Sequence, residues 1–166
     1  MSLDIRRVRA DEWRQLRALR LRALAETPLA FGSTLAREEA FSETVWQERA
    51  AGGSDRATFA AEQDGRWVGL ATGLAAGTDD PQQAFPMLVG MFVDASARQQ
   101  GVGAGLVERV TAWAKEQGAG RLVLWVVAGN EPAIALYRRC GFQPTGLTRP
   151  LAHAPVHREC EMVRPL

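Results

Sequence analysis

Apolar and polar residues alternate over residues 3–8, the period of a half-buried strand. Beyond Asp11, which can cap a helix, the spacing becomes helical. Leu16, Leu19, Ala23 and Leu24 share one face, which predicts a helix to about residue 25. A loop follows through Pro28 and Ala30-Phe31-Gly32-Ser33-Thr34. Residues 42–51 predict a second helix, begun at Ser42, carrying Val45 and Trp46 and ended by Gly52-Gly53. Two strand-like runs, 57–62 and 67–75, are joined through Asp64-Gly65, a hairpin signal. A third run, 85–93, lies beyond the polar loop 77–83.

Val102, Leu106, Val110, Trp113 and Ala114 recur at helical spacing and predict an amphipathic helix over 102–117, stopped by Gly118 and Gly120. Residues 121–127 form a continuous apolar run, as in a strand buried on both faces. A short helix over 132–139 is closed by Gly141, and strands near 142–148 and 156–163 complete the chain. The order predicts an α/β fold. Its sheet is mixed and mostly antiparallel, with about seven strands and about four flanking helices. Without an internal repeat, low-complexity tract or linker, residues 1–166 read as one domain.

Composition changes this picture little. The apolar fraction is 46%, the charged fraction 23% and the net charge +1, so no global field draws the chain to nucleic acid or anionic lipid. Lys115 is the only lysine among twenty basic residues, which reads as a compositional bias rather than a binding surface. Cys140 and Cys160 are too few for a disulfide framework or zinc site and are expected to be packed free thiols. The first residues lack the apolar core of a signal peptide, and no apolar run approaches the ~20 residues of a membrane span. The expected setting is cytoplasmic.

The run Arg98-Gln99-Gln100-Gly101-Val102-Gly103-Ala104-Gly105 follows a strand and opens the amphipathic helix. The first N–H groups of a helix lack internal partners, and its dipole adds positive potential, so such a turn suits phosphate. Arg98 adds a full charge. A P-loop is excluded because Gly105-Leu106 stands where lysine and Ser or Thr are required. A dinucleotide fingerprint is excluded by the intervening loop 94–100, by Leu106, and by Val126-Val127-Ala128 where an acidic residue should end the next strand. A flexible loop with a helix cap also accounts for the glycines taken alone.

Asn130-Glu131-Pro132-Ala133 begins the later helix in the manner of an N-cap with proline in the first turn. Tyr137, taken alone, reads more readily as a core or interface tyrosine than as an acid. The combination says more. Val93-Asp94-x-x-x-Arg98-x-x-Gly101-Val102-Gly103-x-x-Leu106, a buried strand, and then Asn130-x-x-Ala133-x-x-x-Tyr137-x-x-x-Gly141-Phe142 resemble the GNAT superfamily of N-acetyltransferases. The two motifs cover roughly residues 88–146. Where family members often have proline two residues after the strand-ending valine, this chain has Ala95.

The resemblance implies a splayed pair of parallel central strands, ending at Val93 and Val127, with the pantetheine arm of acetyl-CoA lying between them. Met91, Phe92 and Val93 would bond that arm, and a backbone N–H of residues 91–92 would polarise the thioester. Gln99, Gln100, Gly101, Val102, Gly103 and Ala104 would hold the pyrophosphate beside Arg98. Asn130 and Ala133 would face the cofactor, and Arg139 would reach toward its nucleotide end. Tyr137 would bond the sulfur and protonate the leaving thiolate, a role worth roughly 10²–10⁴-fold. No metal is implied.

The acceptor implied is a primary amine of a small molecule or a peptide, attacking directly. The base is open between Glu38, Glu39, Glu62, His153, His157, Glu159, Glu161 and a water chain. Glu38 is favoured because the family places that loop near the acceptor. Phe31, Phe41, Trp46 and Trp125 are aromatic candidates for the acceptor pocket, with Phe31, Glu38 and Trp125 preferred. A non-catalytic CoA-binding module and a nucleotide-binding interaction domain are the competing classes. Should the chain self-assemble, a homodimer is expected.

Overall fold

The computed structural model describes residues 2–166. Its strands are β1 (Leu3–Arg7), β2 (Arg56–Gln63), β3 (Arg66–Leu74), β4 (Met87–Val93), β5 (Arg121–Val127), β6 (Gln143–Leu151) and β7 (Ala154–Pro165). They form one sheet in the order β1-β2-β3-β4-β5-β7-β6, with every neighbouring pair antiparallel except β4 and β5. The helices are α1 (Trp13–Glu26), α2 (Leu35–Glu39), α3 (Glu43–Ala51), α4 (Val102–Glu116) and α5 (Glu131–Arg139).

The sheet carries a core on each face. On one side α4 buries Val102, Leu106, Val110, Trp113 and Ala114, the face expected from their spacing, against Ala57, Phe59 and Ala61 of β2. On the other side Leu16, Leu19, Ala23 and Leu24 of α1 pack with Trp46 of α3, and with Ala60, Leu70 and Phe92 from the strands. Close approach on the α4 side depends on missing side chains. A Cβ on Gly73 would lie 2.5 Å from the Trp113 ring.

The hairpin signal holds: Asp64 and Gly65 both have positive φ, +53° and +78°, the left-handed pair of a tight two-residue turn. Asp11 is not the helix cap. A 3-10 turn, Ala10–Glu12, precedes α1, and Glu12 Oε1 instead accepts the N–H of Arg9 at 2.9 Å. Ser42 caps α3 as expected, its hydroxyl accepting the N–H of Val45. Five-residue α2 is a helix that the apolar pattern does not predict. It is too short to show a period, and Thr34 starts it by accepting the N–H of Arg37 at 3.2 Å.

Candidate functional site

The ladder between β4 and β5 is limited to Met87 opposite Val123, with the Val123 N–H donating to the Pro86 carbonyl at 3.0 Å. Beyond that point the two strands part. β4 also contains a bulge. Its register against β3 shifts between Leu70 and Thr72, and Gly90 sits there at φ +65°. The extra residue lets Leu88 and Met91, three apart, both face the α4 core, whereas Phe92 faces α1. Asp94 donates its N–H to Val68 of β3, so alternation turns the backbone groups of Val93 and Met91 the other way, toward the gap. Phe92 is turned to β3, opposite Leu70.

The turn after β4 is shaped for backbone donors. Gln99 has φ +62° and Gly101 φ +81°, and a Cβ on Gly101 would meet nothing within 4 Å. No side chain caps α4 at Gly101, whereas Thr34, Ser42 and Asn130 cap α2, α3 and α5. The N–H groups of Val102, Gly103 and Ala104 therefore project from an uncapped positive helix end. Arg98 Nε donates to the Val93 carbonyl at 3.0 Å, tying this turn to the end of β4. Gln100 donates to the Ser96 carbonyl. Gly103 also has a packing purpose that its motif does not reveal. Its Cβ would lie 2.9 Å from Leu136 Cδ2, so the missing side chain also makes room for α5.

On α5, Asn130 Oδ1 accepts the Ala133 N–H at 3.4 Å, so these two residues begin the helix. Arg139 is exposed at the other end. Tyr137 is buried in the α4-side core, edge-on to Phe142 with ring centroids 5.9 Å apart. Burial pushes its phenol above the ordinary value, and neighbouring Cys140 adds to this. The hydroxyl therefore keeps its proton at neutral pH, as a donor must. Both Cys140 and Cys160 are free and half-buried.

A cavity of about 540 Å³ opens on the α1 side of the sheet, against Met87, Val89 and Gly90 of β4 and Trp125 of β5. Phe31, Glu38 and Trp125 all line it, and so does Trp46; Phe41 does not, and instead lies beside Trp46 with ring centroids 6.0 Å apart. The loop carrying Phe31 is held over the cavity by His153, whose Nε2 donates to the Phe31 carbonyl at 2.7 Å.

Glu38 is wholly buried and held by two arginines. Arg20 donates from Nε at 3.0 Å and Nη2 at 2.9 Å, and Arg49 donates from Nη1 at 2.8 Å. Burial pushes this carboxyl up, but Arg20, the Ser33 hydroxyl and Arg49 outweigh it and hold it down at about 2. Such a group is a poor proton acceptor, so the geometry disfavours Glu38 as a base and suits it as an anchor. Glu159, another candidate, also lines the cavity, with Oε1 bound by Arg149 Nε. The Arg149 guanidinium lies 3.9 Å from the Trp125 ring centroid.

Arginine is the feature the sequence left unread. Arg20, Arg37, Arg49, Arg56 and Arg149 all line this cavity, and they come from α1, α2, α3, β2 and β6. No local pattern marks them, because they converge only when the helices pack on the sheet. Among the described residues no group of three or more His, Cys, Asp or Glu is placed to hold a metal ion. Among the same residues no helix is long and apolar enough to cross a membrane.

Known proteins are similar to this chain in sequence and fold. A stretch of 90 residues is 33% identical to N-acetyltransferase 8 of Homo sapiens and makes up 53% of this chain and 39% of that protein. The chain matches less than half the length of its curated relatives. An acetyltransferase of the GNAT family from Streptococcus pneumoniae superposes with a TM-score of 0.80 over 99% of both chains, at 22% identity. The ribosomal-protein-S18-alanine N-acetyltransferase of Escherichia coli superposes with a TM-score of 0.69, covering 99% of this chain and 94% of that one, at 21% identity. At these identities the superpositions speak for the fold. The sequence model of the acetyltransferase (GNAT) family matches residues 13–142, and with that match the chain belongs to this family.

Proposed function

We propose that residues 1–166 work as one unit that transfers the acetyl group of acetyl-CoA to a primary amine by direct attack. The observation that carries this reading is the parted β4–β5 pair lying next to the uncapped start of α4. An unpaired strand edge suits the amides of a pantetheine arm, and free helix N–H groups suit a pyrophosphate, so the residues present fit acetyl-CoA. When bound, acetyl-CoA supplies an activated acetyl group whose C–S bond breaks as the new C–N bond forms.

Met91 offers its backbone groups and Val93 its N–H to the gap, the Val93 carbonyl being held by Arg98. The Met91 N–H is the donor assigned to polarising the acetyl carbonyl. Gly101, Val102, Gly103 and Ala104 hold the phosphates through their backbone, with Gln99 and Gln100 shaping the turn and Arg98 bracing it. Tyr137 gives its proton to the departing sulfur. Asn130 and Ala133 set the start of α5, and Arg139 lies at its exposed end. Phe31 and Trp125 bound the acceptor cavity. Glu38 keeps two arginines in place, and the proton released by the amine leaves through water in the open cavity. A cytoplasmic setting accords with this use of acetyl-CoA.

Calorimetric titration of acetyl-CoA, CoA and ADP against wild type and Gly101→Asp tests the reading. The new side chain enters open space, at a left-handed φ that strains any side chain but that aspartate tolerates better than most, and sets a negative charge at the phosphate cradle. Acetyl-CoA and CoA should bind more tightly than ADP, and the variant should lose at least about tenfold, the size of one charge-assisted hydrogen bond. Equal binding of ADP and CoA would remove the gap from the mechanism. No binding of any of the three would remove the enzyme reading.

A further inference from the structure

The charges around the cavity do not balance at one end. Toward α1, α2 and α3, three guanidinium groups (Arg20, Arg37 and Arg49) line the wall against a single lining carboxylate, Glu38. Elsewhere the lining acids have cationic partners or lie at the rim. Glu159 is engaged by Arg149, exposed Asp79 lies 3.9 Å from Arg56, and Asp80 is exposed on the loop before β4. Two of the three are also largely withdrawn from solvent, the side chains of Arg20 and Arg49 being 17% and 24% exposed, whereas Arg37 is exposed. Partly buried guanidinium groups that share one carboxylate gain from a second anion.

Arg20 shows where that anion would sit. Its Nε and Nη2 are both taken by Glu38. Its remaining nitrogen, Nη1, lies 3.5 Å from the position a Cβ would occupy on Gly90, at the β4 bulge. Thr72 Oγ1 is 3.9 Å from the same point and is hydrogen-bonded to Thr58 Oγ1 at 2.9 Å. Gly90 immediately precedes Met91, whose N–H was assigned above to the acetyl carbonyl. A charged donor and the reacting acetyl group thus flank one short stretch of β4, and the bulge glycine leaves that stretch bare.

We infer that the cavity selects a small amine bearing a carboxylate a few atoms from its nitrogen, with Arg20 Nη1 binding the carboxylate beside Gly90 and Arg37 and Arg49 supplying the surrounding positive field. The inference rests on the acetyl-transfer reading and adds the acceptor class to it. A cavity of about 540 Å³ is of the size that holds one small molecule. Glu38 then acts as a positioning residue, fixing two of the three Arg20 nitrogens so that the third is aimed at the bulge.

The test compares matched acceptors at a fixed acetyl-CoA concentration, reading CoA thiol release. α-Amino acids are set against their amides, their decarboxylated amines and short peptides with free N-termini. The acids should show kcat/KM at least about tenfold above the amides and amines, mainly through KM, the size of one charge-assisted hydrogen bond. Arg20→Gln should bring that ratio toward one, and Arg20→Lys should retain part of it. Arg37→Gln, at an exposed side chain, should lower the ratio by a smaller factor. Amides, amines or peptides used as well as the acids would overturn the carboxylate site and leave acetyl transfer standing. So would a preference for acids unchanged in both Arg20→Gln and Arg37→Gln. Acetyl-CoA that binds in calorimetry yet is consumed with none of the acceptors would overturn it too, whereas failure of that binding would sink the underlying reading first.

Discussion

Replacing Glu38 by glutamine removes the only carboxylate from a buried group that includes two guanidiniums. The wild-type carboxyl titrates at about 2 against an ordinary 4.5, because Arg20, Ser33 and Arg49 outweigh the burial that would raise it. That difference is worth about 3 kcal/mol in the native state at neutral pH. Breaking a buried ion pair from one side gives a similar figure, about 3–5 kcal/mol. For a chain of this length the loss corresponds to a Tm lower by about 6–12 °C. The sign with pH follows from the lowered value. The stabilisation is fully present above about pH 4.5 and fades as pH falls toward 2, because the unfolded carboxyl takes up its proton first. Urea unfolding of both proteins at pH 7 and near pH 3 should show a gap that narrows in acid. A loss below about 1 kcal/mol at pH 7, or a gap independent of pH, would refute the anchor role. A Glu38→Gln protein as stable as wild type but without turnover would return Glu38 to the part of base.

Two further outcomes follow from the packing. Tyr137→Phe keeps the ring against Phe142 but removes the proton donor, so kcat should fall by roughly 10²–10⁴-fold while the midpoint of urea unfolding changes little. An unchanged kcat would assign thiolate protonation to solvent. Gly73→Ala drives a methyl to within 2.5 Å of the Trp113 ring and should destabilise by about 1–3 kcal/mol in chemical denaturation. The loss should shrink in a Trp113→Leu background, and a loss of equal size there would show that the ring is not the obstacle.

Much of the architecture was written in local pattern. The apolar spacing from Val102 to Ala114 placed α4 and its buried face, and Asp64-Gly65 placed a turn whose two positive φ angles only such residues adopt readily. The motif pair around Gly101 and Tyr137 pointed to the family because its chemistry uses backbone and side chains at set spacings. These are properties of neighbouring residues, and a helical or strand period reports them directly.

The electrostatics of the cavity proposed for the acceptor were decided by the tertiary structure. Glu38 looked like a candidate base in sequence; its partners, Arg20 and Arg49, stand 18 and 11 residues away. Whether a carboxylate accepts a proton depends on which charges share its cavity, and no period in the chain encodes that distance. The same holds for Gly103, whose phosphate-like motif conceals a contact with Leu136, and for Gly90, whose bulge breaks the alternation of β4. The arginines, uninformative as composition, acquire meaning only where α1, α2, α3 and the strands bring them around one cavity. The local sequence thus determined the scaffold and the motifs proposed to hold acetyl-CoA. Packing of distant segments decided the electrostatics, because Coulombic interactions act through space and not along the chain.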